Sequence, residues 1–335
     1  MTLKEIAQMS GVSISTVSRV VNSNNTKAAS PETCEKIWSV VRAMGYTPNE
    51  SAQKLKNKNQ KKEADMPRKI FCIFARTVDS YLDPFFTELM QAIEQEAFRQ
   101  KYTMRTIVSL NELQNSDIRR NDLHFGALVL GRMNRWTMET LSRQFKHIAY
   151  VGLNTLPYEI DQIVSSGYSA ARSAVEHLQK TGHSRILYVG ETEHEQRYHG
   201  FADAMKAANI EDISPCIVQT ALTPHGGYSA INRALDRGID FSALFCANDD
   251  TAIGTIKALK ERGYSIPKDV SVIGVGDIEL SRYFSPMLTT IHIPIRELGQ
   301  QAARTIIDRI ENNHQIPMKI ELPNSLVIRE SSRSL

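Results

Sequence analysis

The chain has 335 residues, 41% of them hydrophobic and 23% charged, with a net charge of +3. These proportions exclude a disordered or fibrous chain and suit a soluble protein of two or three domains. The small net charge hides an asymmetry: residues 1–62 carry ten Lys/Arg against four Glu, and the other 273 carry thirty against thirty-three, so +6 faces −3. A basic end on a mildly acidic body is the footprint of a protein that meets a polyanion with one end only.

Residues 2–22 read as a helix, a tight turn and a second helix. Leu3, Ile6, Ala7 and Met9 keep helical spacing and are expected to face inward. Gly11 stands where the chain must turn, and Ser13 is a good N-cap for a second helix burying Val17, Val20 and Val21. The other face presents Ser13, Ile14, Ser15, Thr16, Ser18, Arg19 and Asn22. This is the layout of a helix-turn-helix whose second helix enters the DNA major groove. Ile14 suits a thymine methyl, and Arg19 can donate two bonds to a guanine. Ser13, Thr16 and Asn22 suit phosphates, while Ser18 could equally bond within its own helix. A third helix follows Ser30-Pro31-Glu32, which supplies a cap, a proline at the first helical position and an acidic first turn.

Residues 49–58 have helical propensity but only Ala52 and Leu55 to bury, so this short helix is expected to order only on a partner. Leu55 is an apolar residue in a lysine-rich decamer with no core nearby. Residues 56–68 read as a linker. From Lys69 onward, apolar runs alternate with amphipathic stretches. Strands are expected at Ile70–Ala75, Tyr102–Ser109, Ala127–Leu130, His147–Val151, Arg185–Val189, Ile217–Thr220, Ala243–Cys246, Ser271–Val275 and Thr290–Ile293. Helices are expected at Phe85–Arg99, Arg135–Arg143, Ser166–Lys180, His194–Ala208, His225–Arg237, Asp249–Arg262 and Ile295–Asn312. This alternation predicts two doubly wound parallel sheets. Cys34, Cys72, Cys216 and Cys246 show no paired spacing and read as reduced thiols; His177 and His183 read as structural. No metal or cofactor is expected. Neither a P-loop, a nucleophile elbow nor a metal-spaced histidine cluster appears, so an enzyme is not expected. No signal pattern or membrane-length apolar run appears, and the expected location is cytoplasmic.

Several motifs together resemble the lactose-repressor/galactose-repressor (LacI/GalR) family of bacterial transcription regulators. They are Gly11-Val12-Ser13 with Thr16–Val20 and Asn22, Gly45–Asn49 with Ala52 and Leu55, and Glu176–Leu178 with Gly182-His183. Arg197 with Gly200-Phe201, Ala247–Asp249, Ser271–Gly274, Pro286 with Leu288–Thr290, and Leu326–Ser331 complete the set. The resemblance covers nearly the whole chain. It implies a small all-α helix-turn-helix domain (1–48), a hinge helix and linker (49–68), and an effector-binding and dimerisation body (69–331) like periplasmic binding proteins. In that body an N-subdomain would take about 69–160 and 292–322, and a C-subdomain about 163–290 and 323–331. The resemblance also places Asn49, Ala52 and Leu55 on DNA as the hinge, with Leu55 entering the minor groove as a wedge.

The effector is expected to be a small sugar held in a cleft at the carboxyl ends of the strands. Arg197, Asn248 and Asn154 offer planar donors and acceptors for sugar hydroxyls, and Phe85, Phe86 or Phe201 an aromatic platform. Family members often carry two adjacent acids after the Ser271–Val275 strand; here Gly276 takes the first place and Asp277 remains as the candidate contact. The runs Leu82–Phe86 and Tyr283–Pro286 resemble galactoside-responsive members. The expected function is therefore a repressor of a sugar-utilisation operon, a homodimer on a near-palindromic double-stranded operator, released by a sugar such as a galactoside. A co-repressor- or phosphoprotein-activated regulator of the same family is the alternative, and a sugar-binding protein without DNA control the alternative of a different class.

Overall fold

The structure, a computed structural model, describes residues 2–23, 29–43, 68–75, 83–107, 125–312 and 314–335. The chain divides into two compact units, Met1–Met66 and Pro67–Leu335.

In the first unit, α1 (Leu3–Ser10), α2 (Ile14–Ser23) and α3 (Pro31–Ala43) enclose one small core. The start of α1 is fixed by a capping box. Thr2 Oγ1 accepts from Glu5 N, and the Glu5 carboxylate accepts from Thr2 N at 2.9 Å, satisfying two otherwise orphaned amides. The helix stops because Gly11 adopts φ 68°, the left-handed conformation that costs a glycine least. Ser13 Oγ then accepts from Thr16 N at 3.1 Å and starts α2, as its position predicts. Ser30 Oγ accepts from Thr33 N at 3.3 Å and starts α3. Ile6, Ala7, Val17, Val20, Val21, Ile37 and Val41 are buried together. Met9, expected to face inward, is instead 55% exposed. Its neighbours Ile6 and Ala7 already fill the inner face of a two-turn helix.

Among the described residues the second unit contains two six-stranded sheets. In chain order the first half runs β1 (Lys69–Ala75), α4 (Pro84–Arg99), β2 (Thr103–Ile107), β3 (Phe125–Gly131), α5 (Arg135–Gln144), β4 (His147–Gly152) and β5 (Asp161–Val164). The second half runs α6 (Gly167–Lys180), β6 (Ile186–Gly190), α7 (Gln196–Ala207), β7 (Ile217–Gln219), α8 (Pro224–Asp236), β8 (Ala243–Cys246), α9 (Asp249–Glu261), β9 (Ser271–Gly276), a one-turn α10 (Leu280–Tyr283) and β10 (Thr289–His292). The chain then returns through α11 (Ile295–Asn312), β11 (Lys319–Glu321) and β12 (Ser325–Val327). Sheet orders are β11-β5-β4-β3-β1-β2 and β12-β10-β9-β8-β6-β7. Every pairing is parallel except β10 with β12. The chain therefore passes between the halves three times, after β5, after β10 and after β11.

Strands β1, β3, β4, β6, β8 and β9 are near-continuous apolar runs because helices cover both faces of a parallel sheet. Three strands are absent from the sequence expectation: β5, β11 and β12. Each is four residues or fewer and carries polar side chains. The fully buried Asp161 opens β5 because Arg309, His314 and the Met318 amide all donate to it. Cys72 and Cys246 are buried free thiols, and Cys34 and Cys216 half-buried ones. His183 is buried with Nδ1 3.0 Å from Ser242 Oγ and Nε2 3.2 Å from Arg333 O, a packing role.

Candidate functional site

The three-helix core turns the other face of α2 outward. Ser13, Ile14, Ser15 and Arg19 are exposed; Thr16 and Ser18 are partly so. Ile14, 48% exposed, is an apolar side chain that the core could have taken and does not. The Ser13 hydroxyl lies 2.8 Å from both Ser15 Oγ and Thr16 Oγ1, so it is already committed to the helix start. The Asn22 side chain, Asn49, Ala52 and Leu55 lie outside the described residues.

In the second unit a cavity open to solvent forms where strand carboxyl ends and helix starts converge. Phe85 and Phe86 at the start of α4 form one wall, their rings edge to face at 5.2 Å between centroids. Asp83 positions them: its Oδ1 accepts from Phe85 N at 2.9 Å, with Pro84 at the first helical position. Arg132 follows β3, and Asn154 follows β4. From the other half come Glu195 and Arg197 at the start of α7, Leu222, and Asn248, Asp249 and Asp250 at the start of α9.

Arg197 lines the cavity, but its guanidinium is held from behind. Nε and Nη2 donate to the two Glu195 carboxylate oxygens, each at 2.7 Å, and Nη1 donates to Ala247 O at 2.5 Å. Arg132 Nη2 reaches from the first half to Glu195 at 2.8 Å and Glu191 at 2.6 Å. Burial alone would raise the Glu195 carboxyl; Arg197 and Arg132 outweigh it and hold the group at about 2. Glu195 thus joins the two halves across the cleft.

The two asparagines also serve the walls. Asn154 Oδ1 accepts from Gln196 N at 3.0 Å, tying the β4 loop to α7. Asn248 is the N-cap of α9, accepting from Thr251 N at 3.0 Å, and its Nδ2 donates to Leu222 O at 3.2 Å. Both line the cavity with most of their bonding spent.

Asp277 departs from the expectation: it is not among the residues lining the cavity. Gly276 has φ 137° and Asp277 φ 54°, and these successive left-handed residues turn the Asp277 side chain away. Its Oδ1 accepts from Arg329 and from Ser281 Oγ at 3.2 Å; Oδ2 accepts from Arg282 at 3.1 Å and lies 3.0 Å from His292 Nδ1. It therefore binds the ends of β9 and β10 to the C-terminal segment. The carboxylate beside Gly276 belongs to Asp249. A methyl added at Gly276 would lie 3.5 Å from Asp249 Oδ2. Asp249 accepts from Ile278 N at 3.0 Å and Thr290 Oγ1 at 2.5 Å, and burial pushes its carboxyl up to about 7 against those bonds. Asp250 is also raised, to about 6, by burial and then by the Asp83 charge. Arg132, Glu195, Asp249, Asp250 and Asp83 are cavity residues the sequence reading did not select. Their position just after strand ends, or just before a Pro-started helix, is the signal that would have found them.

Among the described residues no group of acids, histidines and cysteines could hold a metal ion, and no helix is long and apolar enough to cross a membrane.

Comparison with known proteins agrees with both ends. Residues 2–49 match the model for bacterial regulatory proteins of the lacI family, and residues 175–332 match the periplasmic binding protein-like domain. A relative, the HTH-type transcriptional repressor PurR of Mannheimia succiniciproducens, is 31% identical over all of this chain and 99% of its own. Among solved structures, a CelR regulator–cellobiose complex superposes with TM-score 0.73 at 22% identity, covering 99% of this chain and 100% of that one. A LacI-family regulator from Enterococcus faecium with bound ribose gives 0.69 at 26% identity, over 79% of this chain and 99% of that one. These relatives are transcriptional regulators and not enzymes.

Proposed function

The chain belongs to the lacI family of bacterial regulatory proteins, and from that premise we propose a repressor that reads an operator with α2 and is released when a small sugar closes the cleft. The observation that carries this reading is the pairing, in one chain, of an exposed recognition face on a capped three-helix core with a cavity at the carboxyl ends of two sheets. Ile14, Ser15 and Arg19 take base edges, Thr16 a phosphate, and Ser18 lies beside them. Asn22, Asn49 and Ala52 add contacts, and Leu55 enters the minor groove at the centre of a near-palindromic site held by a two-fold dimer.

The sugar reading rests on the cavity's composition: an aromatic wall of Phe85 and Phe86, and planar polar groups from Arg197 and Asn154. The cellobiose and ribose bound by the two structural neighbours support it. A galactoside is one member of this class, argued from the runs 82–86 and 283–286. Tyr283 in the second run is exposed and outside the cavity, so that run adds nothing to the binding wall.

Release requires the sugar to favour one global state over the other. The test is to select bound duplexes from a random library with the full chain, then titrate binding with ribose and cellobiose. A sugar that lowers operator affinity supports release; one that raises it establishes the co-repressor alternative. In the same assay Leu55→Ala weakens operator binding and leaves sugar affinity unchanged; unaltered operator binding removes the wedge assignment.

A further inference from the structure

Side chains of the first half reach across the cleft to one place in the second, the loop that enters α7. Arg132, directly after β3, donates from Nη2 to Glu195 at 2.8 Å and meets Glu191 at 2.6 Å. Asn154, after β4, accepts from the Gln196 amide at 3.0 Å. The Arg132 bridge stands apart from the crossovers that join the halves: β4 separates β3 from β5, and β9 and β8 separate β10 from β6. A rotation of the halves about the crossovers therefore draws Arg132 away from its carboxylates.

The two limbs of this bridge are unequal. Glu191 is 30% exposed, so water and salt screen its attraction. Glu195 is fully buried and accepts from Arg197 as well. With Arg132 drawn away, Arg197 is the one guanidinium left on Glu195 among the described residues. Taking one partner from a buried pair costs far more than breaking an exposed pair, so the Glu195 limb decides the balance. Closure carries a cost of its own: among the described residues the buried Nε of Arg132 has no hydrogen-bond partner. The bridge is thus strong enough to favour closure and imperfect enough to open.

We propose that Arg132 and Glu195 form a latch, a charge pair belonging to the protein itself that biases the two halves toward closure before any effector enters. A ligand then supplies only the remaining free energy of closing. The latch rests on contacts within the chain and not on the identity of the effector.

Small-angle X-ray scattering and amide exchange of the full chain, without ligand or DNA, test it on the wild type, Arg132→Gln, Arg132→Lys and Glu191→Gln. Arg132→Gln is expected to have a larger radius of gyration and about tenfold faster exchange at the Gln196 amide, which is bonded across the cleft, with exchange in β1 and β8 unchanged. Arg132→Lys, which keeps the charge on a shorter stem, should fall between that variant and the wild type. Glu191→Gln should exchange within about twofold of the wild type. A wild-type radius in Arg132→Gln overturns the latch. So does exchange that rises equally in β1 and β8, the mark of a general loss of stability, or that rises at Gln196 with no change in radius, the mark of a frayed α7. If Arg132→Gln does not fold, Arg132→Lys decides by the same two readouts, and a wild-type result there overturns the latch. Because neither sugar nor operator is present, failure of the latch leaves the release reading standing.

Discussion

The recognition face of α2 and the wall of the cleft are built on opposite terms. On α2 the functional side chains are those the three-helix core leaves outside, and Ile14 is the clearest of them. In the cleft the functional side chains are mostly bonded to one another before any ligand arrives: Arg197 to Glu195 and Ala247, Asn248 to Thr251 and Leu222, Asn154 to Gln196. Apart from Ser13, whose hydroxyl starts α2, the DNA-reading surface can change at exposed positions such as Ile14 with little effect on the core, whereas a change in the cleft wall is also a change in stability. A family that keeps one fold while altering its operators and effectors would vary the first surface freely and the second with compensation.

The largest effects should fall in the wall. Replacing Arg197 by Leu leaves Glu195 buried with only part of its counter-charge, and such losses cost about 3–5 kcal/mol. Urea unfolding of the full chain should show that drop, whereas Arg19→Ala, at an exposed side chain, should cost about 1 kcal/mol or less. Arg19→Ala should instead remove about 1–3 kcal/mol of discrimination at one operator base pair, read by competition between single-substituted duplexes. If Arg19→Ala destabilised the fold as much as Arg197→Leu, the contrast between the two regions would be gone.

Asp277 sharpens the comparison because its chemistry looks like ligand binding and its geometry is structural. Asp277→Asn should lower the unfolding free energy by about 2 kcal/mol, through weakened bonds from Arg329 and Arg282, and shift sugar affinity little. A large affinity loss with normal stability would return it to the site.

The smallest effect is in pH. The Asp250 carboxyl sits at about 6 in the folded protein against 3.8 when unfolded, so the folded form holds its proton more tightly. Its contribution to stability is present at low pH and falls as pH rises from about 3.8 through about 6. Asp250→Asn should therefore be more stable than the wild type by about 1 kcal/mol at pH 8 and equal to it near pH 4, measured by thermal unfolding. Glu195 works in the reverse sense. Its group is held at about 2 against 4.5, so its stabilisation is present above 4.5 and lost as pH falls through about 2.

How much of this was legible in the sequence follows from where each partner lies along the chain. The helix-turn-helix is local: Thr2 and Glu5, Gly11, and Ser13 and Thr16 act within a few residues, and the caps can be read directly. The buried strands were legible as apolar runs. The strands β5 and β11 were not, because Asp161 makes sense only beside Arg309 and His314, about 150 residues later. Arg197 and Asn248 stand out in the sequence by type and position, but their engagement with Glu195 and Leu222 does not. Gly276 was noticed as a missing acid. That its backbone conformation also turns Asp277 toward Arg329, 52 residues away, depends on a φ angle that residue type only permits.

The central claim is that the cleft and the DNA-reading face belong to one switch. Operator affinity of this chain, measured with and without a saturating concentration of whichever of ribose and cellobiose binds it more tightly, tests it most directly. The account predicts a fall of about 5- to 150-fold on adding the sugar, the usual range of allosteric coupling. An operator affinity that the bound sugar leaves unchanged would contradict it.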